Sequence, residues 1–471
     1  MSTTKSILKS TFIYSIGTFG SKILLFALLP LYSFYLTKEE LGEYDLILTI
    51  VTLFVPIITF QLSDGIYRKL LDFDIESNKK KISYLISSAL FYNIIGFLFF
   101  FLLSLIYLYF KDYQYYTYYL LFQLSSCFFP FFQQCIRGLK KTKLYSFIGI
   151  SNAIFTLFFS IVFIVILDWK IEGILLAGFI AQTISIFISF FRGNLVEYIS
   201  ICRVRYSMFK SLFDYSFPLV PNSISWWIVN ASNRFLILFF LSKEFNGIYA
   251  ISARFPAIVL MINAIFMLSW QDFTIGLGTR QKDDNNSQQY ASKVFNSYVI
   301  FSLTLVIILT SISKYLMMFT VDKAYFDAWK YMPILFFSAS VASFCAFLGA
   351  FFLQQKDTKG VFFTTIVGGL FNLSLTFVLI NHIQLFAPAI GTLFGYIIIL
   401  LLRIYRLKKT IIFSVDKAKI MQLSLILILV FSSLFILKNH FYSILIIVFS
   451  AIIFYLHNKN LFRILISKFK L

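Results

Sequence analysis

Three basic residues of this chain lie inside long apolar stretches. Arg234 and Arg254 occupy two apolar runs on either side of a short turn at 241–249, and Lys22 lies near the middle of the first apolar run. An arginine at the centre of a bilayer-spanning helix costs roughly 2.5–3.5 kcal/mol even on the mildest insertion scale. Because a chain is expected to keep such costly residues only where it uses them, the sequence predicts a transport site in the stretch that holds Arg234 and Arg254.

Two of these cations end a stripe of polar residues. Residues that are three or four positions apart in the sequence line one face of a helix. The stripes are Ser15, Thr18 and Lys22 in the first run, and Asn222, Trp226, Asn230 and Arg234, with Asn233 beside them, in the seventh. A stripe that ends in a charge favours a water-filled cavity, although Lys22 could instead snorkel to an interface. The uncharged stripe Thr365, Gly368, Asn372 and Thr376 is more typical of close helix packing.

The composition identifies a polytopic membrane protein. Of 471 residues, 59% are hydrophobic and 13% are charged, and the mean hydropathy is +0.83. A soluble protein carries about 25% charged residues. We predict an all-α membrane protein with about fourteen transmembrane helices between residues 11 and 457. No signal peptide is expected, because the first apolar run is too long and lacks a cleavage site.

The net charge of +20 is explained by its distribution rather than by nucleic-acid binding. With the N-terminus inside, inner loops hold 30 of the 41 Lys and Arg, including Arg403 and Arg406, outer loops hold 8, and 3 lie within spans. Such a bias marks the cytoplasmic side. We therefore expect both termini in the cytoplasm. The longest inner connections, at 67–81, 192–210 and 278–293, are polar and predict linkers.

An internal repeat divides the chain. Residues 36–44 read LTKEELGEY and residues 241–249 read LSKEFNGIY, each following the first span of its half. Repeated halves around a central site are a transporter architecture. The predicted parts are an N-lobe at 1–209, a C-lobe at 210–410, and two further helices at 411–471.

Acidic residues near the membrane allow two interpretations. Asp45 lies at the outer end of the second span, and Asp64, Asp214 and Asp272 lie near inner ends. All are compatible with interfacial positions. Any of them could also pair with an intramembrane cation or titrate during transport, which makes Asp45, Asp64 and Asp272 candidates for ion coupling.

The stretch YSFPLVPNSISWWIVNASNRFLI, its turn, and GIYAISARFP resemble the seventh and eighth helices of Wzx-type polysaccharide flippases. Residues 15–22 with LPLYSFYLTKEELGEYDL resemble the first helix pair of that family. These proteins belong to the superfamily of multidrug, oligosaccharidyl-lipid and polysaccharide exporters. The resemblance covers the chain in length, span count and repeat.

The resemblance implies that the protein flips undecaprenyl-diphosphate-linked oligosaccharide repeat units, such as those of O-antigen, across the bacterial plasma membrane. Two lobes would alternate around a cationic cavity, driven by Na⁺ or H⁺. Arg234 stands at the arginine of the family's Asn/Asp-Arg pair in the seventh span. The resemblance assigns Lys22 and Arg254 to the cavity only as charges in cavity-facing spans. Membrane lipids, a polysaccharide polymerase and a chain-length regulator are the implied partners, and no cofactor is implied.

Other functions remain as alternatives. A drug exporter of the same superfamily would bind organic cations, for which acidic cavity residues are expected instead of basic ones. A membrane polymerase or glycosyltransferase would carry a large outer loop, and outer loops here are short. Glu39 and Glu40 form a conceivable catalytic pair, but their turn recurs in the second half. The sequence has no phosphate-binding Gly-Lys loop, and its scattered His and Cys residues predict no metal site.

Overall fold

The computed structural model describes residues 20–24, 26–75, 77–110, 113–263, 285–355, 357–408, 416–436 and 439–469. Every regular element within these ranges is a helix. Helices are the natural solution in hydrocarbon, where each backbone N–H and C=O needs a partner within the same segment. The predicted all-α membrane class is confirmed.

The chain forms two compact units, Met1–Trp227 and Ile228–Leu471. The boundary lies inside one helix, whereas the predicted lobe boundary at 209/210 rests on the repeat and stays a prediction. The helices of the first unit are α1 Leu28–Tyr35, α2 Lys38–Thr59, α3 Leu62–Leu70, α4 Lys79–Phe110, α5 Tyr116–Gly138, α6 Thr142–Ser160, α7 Ile171–Arg192, α8 Tyr206–Ser216 and α9 Leu219–Asn230, of which the last residues belong to the second unit.

The second unit continues from the end of α9. Its helices are α10 Asn233–Phe240, α11 Lys243–Arg254, α12 Asn285–Thr320, α13 Met332–Gln354, α14 Thr358–Ile383, α15 Phe386–Leu407, α16 Lys417–Ile436 and α17 His440–Phe469. Short 3₁₀ segments interrupt the connections, at Leu195–Tyr198 and Ile201–Arg203 in the first unit and at Lys323–Lys330 in the second.

Within the described ranges, eleven helices are long and apolar enough to cross a membrane. The remaining three of the fourteen predicted spans are helical as well. The first is described only from Gly20 to Tyr35. The fourth, α5, is made more polar by three glutamines, and the seventh is divided into α8, α9 and α10. The architecture therefore agrees with the predicted span count.

Proline and local side-chain bonding divide the seventh span. Pro218 follows the end of α8, where it has no N–H to donate and its ring clashes with the preceding turn. The second interruption lies at 231–232. There the N–H of Arg234 bonds to the carbonyl of Ala231 at 3.2 Å, a tighter turn than an α-helix makes. Ser232 Oγ bonds back to the Ile228 carbonyl. Arg234 consequently lies at the start of a helix instead of in its interior.

The repeated turn has a structural role in both halves. Thr37 and Ser242 are the N-caps of α2 and α11. Glu40 completes a capping box, because its carboxylate accepts the Thr37 N–H at 2.8 Å. The buried tyrosines that end the two motifs, Tyr44 and Tyr249, anchor each helix in its unit. Capping and anchoring account for the repeated Thr/Ser and Tyr positions, and Glu40, which is found only in the first copy, acts as a cap.

A substitution at Gly96 tests the packing of the first unit. A Cβ at Gly96 would lie 2.3 Å from the backbone carbonyl oxygen of Ile58, which cannot rotate away. We expect Gly96→Ala to lower the stability by about 1–3 kcal/mol through overpacking. The measurement is thermal unfolding of the detergent-purified protein. Gly149→Ala is the matched control, since its Cβ would meet Gln133 Nε2 at 3.6 Å; equal melting temperatures for the two variants would contradict this packing.

Candidate functional site

Arg234, one of the predicted substrate-binding cations, is positioned by second-unit residues of two helices. It is the second residue of α10 and is partly buried. Its guanidinium donates to the Asn230 carbonyl and lies over the Tyr249 ring, 5.5 Å from the ring centroid. A guanidinium held on an aromatic face within about 6 Å gains cation–π stabilisation. The arginine is therefore fixed by α9 and α11 together.

Asn230 is tied to the same group. The Tyr396 hydroxyl of α15 donates to Asn230 Oδ1 at 2.5 Å, and Asn230 as a residue is exposed. The structure thus brings Arg234 and Asn230, both predicted, together with Tyr249 and Tyr396, which were not predicted. Tyr249 comes from the next helix, α11, and Tyr396 from α15, far along the chain. The repeat is the one sequence signal that included Tyr249.

Asn233, predicted to line the cavity, is buried among helices of the second unit. Its Nδ2 donates to Thr392 Oγ1 at 2.9 Å and to the Pro388 carbonyl at 3.1 Å. It also lies 3.3 Å from Asn372 Oδ1, and Asn372 in turn donates to the Val229 carbonyl at 3.0 Å. In this structure Asn233 links α10 to α14 and α15, next to an arginine that remains partly exposed.

The other predicted cations lie elsewhere. Arg254 is the last residue of α11 and is partly buried just before the turn at Pro256. Lys22 belongs to the first unit and is exposed on the helical segment 20–24. Ser15 and Thr18, of the same predicted stripe, lie outside the described residues.

Asn222 and Trp226 lie on the part of α9 that belongs to the first unit, and both are partly buried. The Oδ1 atom of Asn222 is buried without a hydrogen-bond partner among the described residues. The adjacent Trp227 donates its indole N–H to the Thr49 carbonyl at 2.9 Å. An unsatisfied amide oxygen retains the capacity to accept a hydrogen bond from a hydroxyl or water.

The acidic candidates differ in environment. Asp45 is buried, with 8% of its surface exposed, near the start of α2. Asp64 is exposed on the short helix α3. Asp272 lies outside the described residues. Among the described residues, no group of three or more His, Cys, Asp and Glu side chains could hold a metal ion.

Arg403 was assigned to an inner loop by the sequence analysis, and the structure corrects this. It lies in α15 with 1% of its surface exposed. Its guanidinium donates to the Cys345 carbonyl, to Thr364 Oγ1 at 3.3 Å and to Thr365 Oγ1 at 3.2 Å. Its position near the end of an apolar run made it look like a loop charge. In the fold it joins α13, α14 and α15.

Substitutions at Arg403 separate its charge from its volume. Thr364 and Thr365 keep their own bonds to backbone carbonyls without it. We therefore expect Arg403→Met to unfold at or above the wild-type temperature, as buried charges replaced by apolar groups often do. Arg403→Ala should cost about 2–5 kcal/mol relative to that variant, because it leaves a cavity. The exposed Arg406→Met is the control; a strong loss in Arg403→Met alone would show that the charge itself is needed.

Solved structures share this fold. A lipid II flippase, MurJ, in an inward-closed conformation has a TM-score of 0.70 and 16% identity, covering 97% of this chain and 100% of its own. An inward-facing multidrug resistance MATE family transporter of the MOP superfamily has a TM-score of 0.66 and 11% identity, over 83% of this chain and 95% of its own. A bent form of the Vibrio cholerae MATE transporter VcmN has a TM-score of 0.55 and 15% identity, over 89% of this chain and 99% of its own.

No curated protein matches the sequence at a significant level. The family of polysaccharide biosynthesis proteins, however, matches residues 7–270. That match covers more than half of the chain, in a multi-pass membrane protein with the fold of the MurJ and MATE transporters. The protein therefore belongs to the polysaccharide biosynthesis protein family.

Proposed function

We propose that this protein flips undecaprenyl-diphosphate-linked oligosaccharide repeat units from the cytoplasmic to the outer leaflet of the bacterial plasma membrane. The observation that carries the proposal is Arg234. It is a partly exposed arginine at a helix break within an apolar span, held over the Tyr249 ring. Membership of the family and the transporter fold support a lipid-linked glycan as the substrate.

The chemistry of the substrate suits this group. A diphosphate carries about two negative charges that must cross hydrocarbon. Arginine presents a planar fork that binds phosphate oxygens in pairs, and lysine presents a point charge. We assign the diphosphate to Arg234, with Lys22 and Arg254 as further cationic contacts.

The glycan and the lipid need different surfaces. Sugar hydroxyls require hydrogen-bonding partners and stacking faces, for which we assign Asn222, Trp226, Asn230, Ser15 and Thr18. Asn233 would contribute only in a state that frees its amide from Thr392 and Pro388. The prenyl tail stays in the membrane lipid. A polymerase and a chain-length regulator would receive the product in the outer leaflet.

Transport uphill requires energy. The sequence carries no ATP-binding loop, so we propose alternating access coupled to Na⁺ or H⁺, with Asp45, Asp64 and Asp272 as candidate coupling groups. Asp45 is the best supported of these, because a carboxylate buried in a membrane protein is rare and often has a functional role. The excess of basic residues in the inner loops supports cytoplasmic N- and C-termini.

A second candidate is a drug exporter, which the likeness in fold to MATE transporters favours. The charges argue against it, since Lys22, Arg234 and Arg254 would repel organic cations. Transport of a cationic dye by everted vesicles that contain the protein would support this alternative over the flippase.

Replacing Arg234 tests the assignment of the diphosphate. We expect Arg234→Ala to abolish surface display of the polysaccharide while membrane insertion is retained, because it removes the guanidinium that is assigned to the diphosphate. Arg234→Lys should retain partial activity through its charge. Arg406→Ala is the matched control, since Arg406 also lies over an aromatic ring, that of Phe363, at 4.9 Å. Full display in Arg234→Ala would contradict the assignment.

Imposed gradients test the coupling ion. In proteoliposomes that contain a fluorescent polyprenyl-diphosphate oligosaccharide, the flipping rate should respond to either a Na⁺ or an H⁺ gradient. Asp45→Asn should remove that response and leave gradient-independent flipping. Equal rates with and without either gradient would rule out ion coupling and leave the flippase proposal intact.

A further inference from the structure

The connection between α7 and α8 is ordered, although its sequence predicts a polar linker. Asn194 adopts a left-handed conformation with φ of 51°, and the chain then enters the 3₁₀ turn Leu195–Tyr198. Leu195 and Tyr198 are buried in the core of the first unit. One side of the connection is therefore packed against the core of the first unit, so the connection is not a flexible linker.

Three serines in the first turns of α4 hold the backbone of the connection in place. Ser83 Oγ and Ser87 Oγ donate to the Tyr198 carbonyl at 2.7 and 2.9 Å. Ser88 Oγ accepts the Arg205 N–H at 2.8 Å. All three serines are buried. These bonds hold the connection in one conformation and determine which of its side chains point outward.

The outward side chains are large and apolar. Val196 is 53% exposed, Ile201 is 86% exposed and Tyr206 is 66% exposed. Single exposed apolar residues are common on protein surfaces. Here, however, three occur within eleven residues of a rigid segment that has its inner side packed.

The position and charge of the segment indicate what covers this face. It follows directly after the membrane-spanning helix α7 and lies against the first turns of another, α4. Residues 192–210 contain four basic residues, Arg192, Arg203, Arg205 and Lys210, and one acidic residue, Glu197. Glu197 is paired with Lys79 at 2.5 Å, and this bond lowers the pKa of its carboxyl. The segment is therefore cationic at the level where lipid headgroups begin.

We propose that residues 195–206 are an interfacial anchor, which inserts Val196, Ile201 and Tyr206 into the headgroup layer of a membrane that contains anionic phospholipids. Apolar and aromatic side chains on a basic segment are suited to that layer, and each basic residue near an anionic surface strengthens binding. Because the same segment leads into α8, the anchor fixes the beginning of the seventh span at the membrane surface. The proposal is independent of the transported substrate.

Fluorescence quenching in nanodiscs tests the insertion. The full chain carries Ile201→Cys and Cys202→Ser with an environment-sensitive label, since the other three cysteines are buried. We expect quenching by a lipid spin-labelled at a depth of roughly 5–10 Å below the surface. The same label at Asp74→Cys, in an exposed loop of the same unit, should respond to aqueous iodide instead. Equal iodide quenching at both positions would overturn the proposal, as would oxidative disulfide cross-linking of the unlabelled Ile201→Cys variant to a second copy.

The lipid charge is tested separately. In nanodiscs of phosphatidylcholine with phosphatidylglycerol, lipid quenching at position 201 should exceed that in phosphatidylcholine alone. The double variant Arg205→Gln and Lys210→Gln should shift the equilibrium of the label between membrane and water toward water. We expect this equilibrium to change on the order of fivefold for each cation removed. Lys140→Gln with Lys143→Gln, which removes two exposed charges of the same unit, is the control. An equal shift in both double variants, or no dependence on phosphatidylglycerol, would overturn the role of the anionic lipid.

Discussion

Polar groups inside a membrane protein must find partners within the protein, because hydrocarbon offers none. The second unit meets this constraint by linking helices through buried amides. Asn233 of α10 bonds to Thr392 and the Pro388 carbonyl of α15, and Asn372 of α14 bonds to the Val229 carbonyl at the end of α9. These bonds hold α10 in place immediately after the break at 231–232. The position of Arg234 depends on them, since it is the next residue along the chain.

Two arginines of the second unit lie in different environments, one buried and one partly exposed. Arg403 is enclosed, and backbone and hydroxyl oxygens take its hydrogen bonds. Arg234 lies at a helix start, over a tyrosine ring and partly exposed. Burial removes Arg403 from contact with a substrate in this structure, whereas Arg234 keeps part of its surface accessible. A charge within an apolar run is therefore not sufficient evidence of a binding group.

The first unit meets the same constraint at its edge. The connection after α7 has backbone groups outside regular helix bonding, and Ser83, Ser87 and Ser88 bond to them. Each serine lies in the first turns of a long apolar helix, where the sequence pattern alone suggests a small packing residue. Their bonding converts a predicted linker into a rigid surface whose apolar side faces outward.

The sequence alone determined the membrane class, the span count and the repeat, because hydropathy and charge bias are properties of segments that need no tertiary contact. It also selected Arg234 and Asn230, which the structure brings together. It could not supply Tyr396 or Tyr249 as their partners, because these come from other helices. It assigned Arg403 to a loop, since burial depends on neighbouring helices that the local sequence does not contain. It also predicted a linker where Leu195 and Tyr198 are buried, because side chains far along the chain decide whether a polar connection docks.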